Sequence, residues 1–136
     1  QSNKNGCRFF LVKHLRINWT EGEKHFRNCL LDFNKANNVA QWQWVAGCGA
    51  DAAPYFRIFN PILQGEKFDK EGLYVKKWVP ELNKVPQKFI HKPWEMEVRY
   101  QEAIKTIIGI NYPKPIVVHE QARTAALKAF QSLKKN

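Results

Sequence analysis

Prolines divide this chain into short segments, and most of these segments carry apolar residues at helical spacing. Prolines at positions 80, 86, 93, 113 and 115 interrupt the second half, where no long regular element can continue through them. Strand signals are weak, because the apolar run at residues 115–118 is short and alternates poorly. We therefore predict an all-α fold, an irregular helical bundle with long ordered connections.

Start and stop signals place the predicted helices. Thr20 and Glu23 have the spacing of a capping box, and Asp69 is predicted as the N-cap of a helix at residues 71–78. Residues 34–38 form an asparagine-rich break that suits a turn or a helix start. The other predicted helices cover residues 7–15, 39–50, 96–108 and 120–133, with a short one beginning at Pro61.

The charge balance points to a polyanionic partner. Lys and Arg number 22 against 12 Asp and Glu, which gives a net charge of +10. Nucleic acid is the usual partner of such a chain, although a solvated basic surface without a partner explains the charge equally well. Hydrophobic residues make up 44% of the chain, enough for a packed core of modest size, and the aromatic content of 13% argues against disorder. No apolar run is long enough to span a membrane.

Cysteine and histidine give no sign of metal or hydrolase chemistry. Cys7, Cys29 and Cys48 contain no C-x-x-C pair, so we expect reduced, partly buried thiols and no metal site. No Ser or Cys motif accompanies the histidines, which we expect to be structural or exposed: His14, His25, His91 and His119.

The ends and the helix faces suggest part of a larger protein. Residues 1–6 contain no initiator methionine and no apolar stretch typical of a signal peptide. Several predicted helices are apolar all round, and such helices need neighbours on every side. We therefore expect a fragment, a processed product or a piece of a longer chain.

Several blocks, in order along the chain, resemble one family. They are Asn18-Trp19-x-x-Gly22-Glu23, Asn37 to Trp44, residues 51–69, Trp78-x-Pro80-Glu81-Leu82, Tyr112-Pro-x-Pro-Ile116 and His119-x-x-Ala-Arg123. Together the blocks resemble the C-terminal part of the FAD-binding domain of DNA photolyases, relatives of cryptochromes, and most of all the bacterial cyclobutane pyrimidine dimer type. Residues 7–136 would be a partial FAD-binding domain, with residues 1–6 outside the match and the N-terminal antenna domain and its chromophore site absent.

The resemblance implies light-dependent repair of pyrimidine dimers in DNA by one electron from reduced FAD. It implies that the Asn38 amide faces flavin N5, although an asparagine here could instead cap a helix. Trp42 matches the tryptophan nearest the flavin, and Trp19 the second in an electron-transfer chain. Plain core packing is the alternative role for both tryptophans.

The resemblance also assigns binding residues. Those beside the isoalloxazine ring would be Asp32, Phe33 and Asn34, together with Asn38, although Phe33 replaces a glycine and Asn34 an aspartate of the family pattern. Trp44 would line the lesion pocket, unless it is a second core tryptophan. Residues on the DNA-facing edge, each of which could equally be a solvated surface group, would be Tyr55, Phe56, Arg57, Gln64 and Lys67.

The start of the chain departs from the family pattern. Residues 1–6 lack the Asn-Arg-x-Arg-Met segment, including an arginine that in the family pairs with the aspartate matching Asp32, which we expect to be a buried carboxylate. We therefore expect the chain to be inactive by itself, with UV-damaged DNA and the missing N-terminal part of a photolyase as candidate partners, no membrane and no metal, in the bacterial cytoplasm. The alternatives are a cryptochrome-like flavin photoreceptor and a flavin-free basic DNA-binding remnant.

Overall fold

A computed structural model of the protein describes residues 2–50 and 57–133, and the regular structure in these ranges is helical. Outside the helices, these ranges contain one isolated bridge, between Ile108 and Tyr112. The all-α prediction is therefore confirmed. The α-helices are α1 (Ser2–Phe9), α2 (Trp19–Cys29), α3 (Lys35–Ala46), α4 (Pro61–Phe68), α5 (Leu73–Trp78), α6 (Val98–Ile104) and α7 (His119–Leu133).

Shorter helical turns connect these helices. A π-helical turn, Phe10–His14, continues directly from α1. Three 3₁₀ turns at Pro80–Leu82, Gln87–Phe89 and Pro93–Glu95 lie between α5 and α6, and two of them begin with proline. The chain divides into two compact units, residues 1–59 with 117–136 and residues 60–116, called here the first and the second unit.

The first unit contains α1, the π-helical turn, α2, α3 and α7. Its buried apolar residues are Phe9, Trp42, Val45, Ala122 and Ala126. The Phe9 ring packs edge-on against Phe59, with the ring centroids 4.5 Å apart, and α7 packs against the π-helical turn. The predicted final helix at residues 120–133 is confirmed, with one further residue at its start.

Asparagines begin the two helices that carry the candidate site. Asn18 Oδ1 accepts a hydrogen bond from the Thr20 backbone N–H at 3.0 Å, so Asn18 caps α2. The predicted Thr20–Glu23 capping box is wrong, because the Glu23 carboxylate instead binds the Arg27 guanidinium, with Oε2 2.7 Å from Nη2. Because the helix begins two residues earlier than predicted, with Asn18 as its cap, Glu23 lies inside the helix and its side chain is buried.

The third helix begins earlier and ends earlier than predicted. Asn34 Oδ1 accepts from the Asn37 backbone N–H at 3.0 Å and caps α3. Gly47 ends the helix with a φ of +82°, in the left-handed region that glycine adopts without strain. The predicted span of residues 39–50 was therefore too late at both ends.

The second unit has its own core, made of Leu82, Val85, Ile90 and Met96. α4 begins at Pro61 as predicted, and the Asn60 side chain caps it. Here α5 begins at Leu73 rather than at residue 71, because the chain first turns through Gly72. Asp69 still serves the helix start, since its carboxylate accepts from the backbone N–H groups of Tyr74 and Val75.

The predicted helix at residues 96–108 is too long. α6 covers Val98–Ile104 and ends at Lys105, whose φ of +60° is left-handed. Gln101 then holds the flanking loops, because its amide donates to the Met96 carbonyl at 2.7 Å and accepts from the Ile108 N–H at 2.9 Å. Side-chain to backbone bonds thus replace the helical bonds that the periodicity predicted.

The cysteine prediction is wrong about burial. Cys7, Cys29 and Cys48 are all exposed, and none forms a disulfide. Within residues 2–50 and 57–133, no group of three His, Cys, Asp or Glu side chains could hold a metal ion. None of the helices in this part of the chain has the length and apolar composition needed to cross a bilayer.

Gly22 should be intolerant of any side chain. A Cβ atom on Gly22 would overlap the six-membered ring of Trp42, so Gly22→Ala should lower the free energy of unfolding by about 1–3 kcal/mol. Gly6, in α1, has open space around its position, so Gly6→Ala should instead stabilise by about 0.5–1 kcal/mol through helix propensity. Urea unfolding followed by circular dichroism measures both, and equal effects of the two substitutions would contradict the packing.

Docking of α7 should depend on pH. His14 Nε2 and His119 Nδ1 share a hydrogen bond of 2.9 Å, and burial, followed by the neighbouring His119, lowers the pKa of His14. The folded state therefore binds fewer protons than the unfolded state, and stability should fall as pH drops below about 6.5 and level out below the folded pKa. Lys13, whose pKa burial lowers to about 8, is protonated throughout this window.

Thermal unfolding of the wild type and of His14→Gln between pH 7 and pH 5 measures this effect. We expect the wild type to lose stability and the variant, which cannot titrate at this position, to lose less. A variant with the same pH dependence as the wild type would show that other groups control acid unfolding.

Candidate functional site

The middle of α3 carries the centre of the candidate site. Asn38 and Trp42 are four residues apart and lie on one face of the helix, which packs against α2. Asn38 is 4% exposed and Trp42 1% exposed. The structure therefore brings together the two residues that the resemblance assigned to the flavin and to electron transfer.

A buried polar network holds the Asn38 side chain. Its Nδ2 donates to the Glu23 carbonyl at 3.1 Å and to Glu23 Oε1 at 3.2 Å. Glu23 is itself 4% exposed and pairs with Arg27. Both amide hydrogens of Asn38 are thus used within the protein, and since Asn34 caps α3, the alternative role of Asn38 as the helix cap is excluded.

The amide oxygen of Asn38, unlike its amide nitrogen, takes part in no hydrogen bond among the described residues. This oxygen, Asn38 Oδ1, is buried. An unpaired buried acceptor is costly, and a ligand with an N–H group would satisfy it. Asn38 also lines a cavity of about 380 Å³, called here the Asn38 cavity, with Asn5, Arg8, Leu30, Asp32, Asn34, Asn37 and Gln41.

This donor and acceptor set fits a flavin ring system. The lining is mostly amides, with one cation and one carboxylate, and an isoalloxazine presents both ring N–H groups and carbonyl oxygens to such groups. The cavity by itself is smaller than a whole FAD needs, so the described residues would hold one edge of the ring system.

The three residues that the resemblance assigned beside the isoalloxazine ring differ in burial and in whether they line the Asn38 cavity. Asp32 lines the Asn38 cavity but is exposed, so the expectation of a buried carboxylate is wrong. Asn34 also lines the cavity while its side chain caps α3. Phe33 is half-buried.

Arg8 is a cavity residue that the sequence analysis missed. It is 6% exposed, and its Nη1 donates to Asn5 Oδ1 at 2.9 Å. Burial lowers its pKa, yet a guanidinium remains protonated at neutral pH. The signal was present, since Arg8 is the one charged residue in the apolar run at residues 7–12.

Aromatic and glycine residues surround Trp42. The Phe26 ring packs edge-on against its indole, with centroids 5.2 Å apart and planes 73° apart, and Gly22 of α2 lies against its six-membered ring. The indole Nε1 is buried without a partner among the described residues. Trp19 is half-buried at the start of α2.

Trp44 lies on a different face of α3, as its two-residue offset from Trp42 predicts. It is half-buried, with its ring edge-on to Phe9 at a centroid distance of 5.9 Å. It lines a second cavity, of about 360 Å³, together with Asn5, Ala40, Gln41, Gln43, Gly49 and Ala50. One helix thus serves two adjacent cavities.

The residues assigned to DNA fall in both units. Arg57 is exposed in the first unit. Gln64 and Lys67, three residues apart on α4 of the second unit, are half-buried and exposed respectively. Tyr55 and Phe56 lie outside the described residues.

Truncation of Asn38 should destabilise the chain even without a ligand. Asn38→Ala leaves the Glu23 carbonyl and carboxylate short of a buried donor, so we expect a loss of about 1–3 kcal/mol. The neighbouring Asn37 is exposed, and Asn37→Ala should change stability by less than about 0.5 kcal/mol. Urea unfolding of both variants tests this, and equal losses would show that the Asn38–Glu23 bonds contribute nothing specific.

Comparison with known proteins identifies relatives that match most of this chain. The family described as "FAD binding domain of DNA photolyase" matches residues 4–132. Two proteins named deoxyribodipyrimidine photo-lyase are similar to this chain over 93% of its length. The one from Agrobacterium fabrum is 56% identical to this chain, and the one from Escherichia coli is 49% identical. The matches cover 26% and 25% of those proteins, so the chain spans about a quarter of their length.

Solved structures agree with the sequence relatives. A bacterial class III photolyase from Agrobacterium tumefaciens superposes with a TM-score of 0.89 at 54% identity, over 95% of this chain and 27% of that one. A cryptochrome from Synechocystis superposes with a TM-score of 0.86 at 35% identity, over 91% of this chain and 26% of that one. With the family match over residues 4–132, these relatives show that the chain belongs to the FAD-binding domain family of DNA photolyases.

Proposed function

We propose that this chain forms part of the flavin-binding site of an enzyme that repairs cyclobutane pyrimidine dimers in DNA under light. Asn38 and Trp42 are its contribution to that site. The observation that carries the proposal is the buried, unpaired Oδ1 of Asn38, a residue that lines the Asn38 cavity, with Trp42 one helical turn further along α3. FAD is the cofactor of the family, and the relatives named deoxyribodipyrimidine photo-lyase support the reaction class.

Each residue then has a role set by its chemistry. When bound, reduced FAD supplies one electron under light to split the dimer. Asn38 accepts a hydrogen bond through Oδ1 from the ring, and its orientation is held by Glu23. Asp32, Phe33 and Asn34 form the neighbouring rim, with Asp32 and Asn34 in the cavity lining.

Trp42 and Trp19 are proposed to be the first and second tryptophans of an electron-transfer chain that leads to the flavin. Trp42 suits this role because its ring is buried in contact with Phe26, in a site that water does not reach. Trp44, on the wall of the second cavity, is proposed to stack on an extruded base.

We propose that the basic and polar side chains of Arg57, Gln64 and Lys67 contact the DNA. Arg57 and Lys67 are exposed and suit phosphate, and Gln64 suits a neutral hydrogen bond. We add Tyr55 and Phe56 on the resemblance alone. The net charge of +10 favours this partner, and a cytoplasmic location beside DNA goes with the proposal.

The chain spans about a quarter of its relatives' length, so we propose that it acts only with a complementary part. The described cavity provides one side of a ring site, and a cofactor held from one side alone binds weakly. A photoreceptor function is the second candidate, favoured by the likeness to the Synechocystis cryptochrome. Repair of dimers separates the two functions.

A reconstitution tests the proposal. The chain is incubated with FAD, alone or with the N-terminal three quarters of the Agrobacterium photo-lyase, and passed through gel filtration. We expect the mixture to retain visible flavin absorption and to split dimers in light but not in darkness. We expect the chain alone to do neither. Trp42→Phe should keep the flavin and slow its light-driven reduction by about tenfold or more, whereas Trp94→Phe, in the second unit, should change nothing.

The outcomes discriminate between the candidates. Retained flavin without repair would favour the photoreceptor. Repair by the chain alone would disprove the need for a complement. Salt-dependent DNA binding by a colourless mixture would leave the flavin-free basic module as the function.

A further inference from the structure

A buried cation lies against the tryptophan of the candidate site. The Arg8 guanidinium carbon is 5.7 Å from the Trp42 ring centroid and 5.1 Å from the Phe26 centroid. Both distances are within the range of cation–π attraction. Arg8 Nε is buried without a partner among the described residues, so the aromatic faces surround this part of the guanidinium in place of water.

Other charges near the site do little to offset Arg8. Glu23 carries the buried carboxylate bound to Asn38, but it is paired with Arg27 at 2.7 Å. Asp32 lines the Asn38 cavity with Arg8 and is exposed, so water screens its charge. Arg8 is bonded to the neutral Asn5 side chain, which leaves its own charge in place.

We propose that Arg8 tunes Trp42 by making its indole harder to oxidise. The electron-rich face of a neutral indole attracts the guanidinium, whereas an indole that has lost an electron repels it. The contact therefore stabilises the reduced ring and destabilises the oxidised one. Arg8 acts through Trp42 and is a positioning residue, and this inference rests on the proposed role of Trp42 in electron transfer.

The electron balance of the affected step is simple. In light, one electron leaves the Trp42 indole, which becomes a radical cation, and oxidised flavin takes the electron up. Ascorbate in solution then returns one electron to Trp42. Loss of the Arg8 charge should favour the first of these transfers by about two- to thirtyfold, the range of free energies known for cation–π contacts.

Charge variants test the proposal in the flavin-binding preparation, whether that is the chain alone or the reconstituted mixture. Arg8→Met removes the charge and keeps a long side chain, and Arg8→Lys keeps the charge. Arg99→Met removes one charge from an exposed residue of the second unit, and its side chain is 90% exposed. Circular dichroism checks folding, and Arg8→Gln replaces Arg8→Met if the latter does not fold.

The first measurement is light-driven reduction of bound FAD with ascorbate, without oxygen. Arg8→Met should be faster than the wild type by at least about twofold, Arg8→Lys should be slower than Arg8→Met because it keeps the charge, and Arg99→Met should be unchanged. If Arg8→Met equals the wild type while Trp42→Phe is slow, the tuning role is overturned and the proposed function stands. If Trp42→Phe is also unchanged, the electron-transfer role of Trp42 fails, and the tuning role fails with it.

The second measurement needs no flavin. The near-ultraviolet absorption of Arg8→Met minus wild type should show a shifted indole band, because a charge next to an indole shifts its transitions. The difference should vanish in a Trp42→Phe background and should be absent for Arg8→Lys. A flat difference spectrum would show that the Arg8 charge does not act on Trp42, and would overturn the proposal even if no preparation holds flavin.

Discussion

The close contact between Gly22 of α2 and the Trp42 ring of α3 is the constraint on which the candidate site depends. Only a residue without a side chain lets the two helices approach while the indole lies between them. That approach brings Glu23, the next residue of α2, within hydrogen-bonding distance of Asn38. The apolar contact and the polar network thus depend on the same helix crossing.

The polar network inside this crossing is unusual because one member is left incomplete. Glu23, Arg27 and the Asn38 amide hydrogens satisfy one another, so the carboxylate is buried with its charge compensated. The unpaired Asn38 oxygen is buried at the end of this network, in a residue that lines the cavity. A site that holds its amide rigidly and leaves one acceptor open is suited to orient a ligand rather than only to stabilise the fold.

The sequence predicted the positions of some residues of the site but not the surroundings of others. Asn38 and Trp42 were found through the motif, and their four-residue spacing already placed them on one helix face. Arg8 was missed, because its role depends on rings from α2 and α3 that are distant in sequence. Asp32 was expected to be buried and is exposed, since burial depends on neighbouring segments and not on residue type.

The sequence by itself determined the helical class, the start of α4 at Pro61, and the family through its ordered motifs. Those features depend on local backbone chemistry and on residue identity, which can be read without coordinates. The tertiary structure decided the capping of α2 by Asn18, the shortening of α6 at Lys105, and the placing of a guanidinium against Trp42. These depend on competition between side-chain bonds, backbone turns and packing across helices, which no local pattern records.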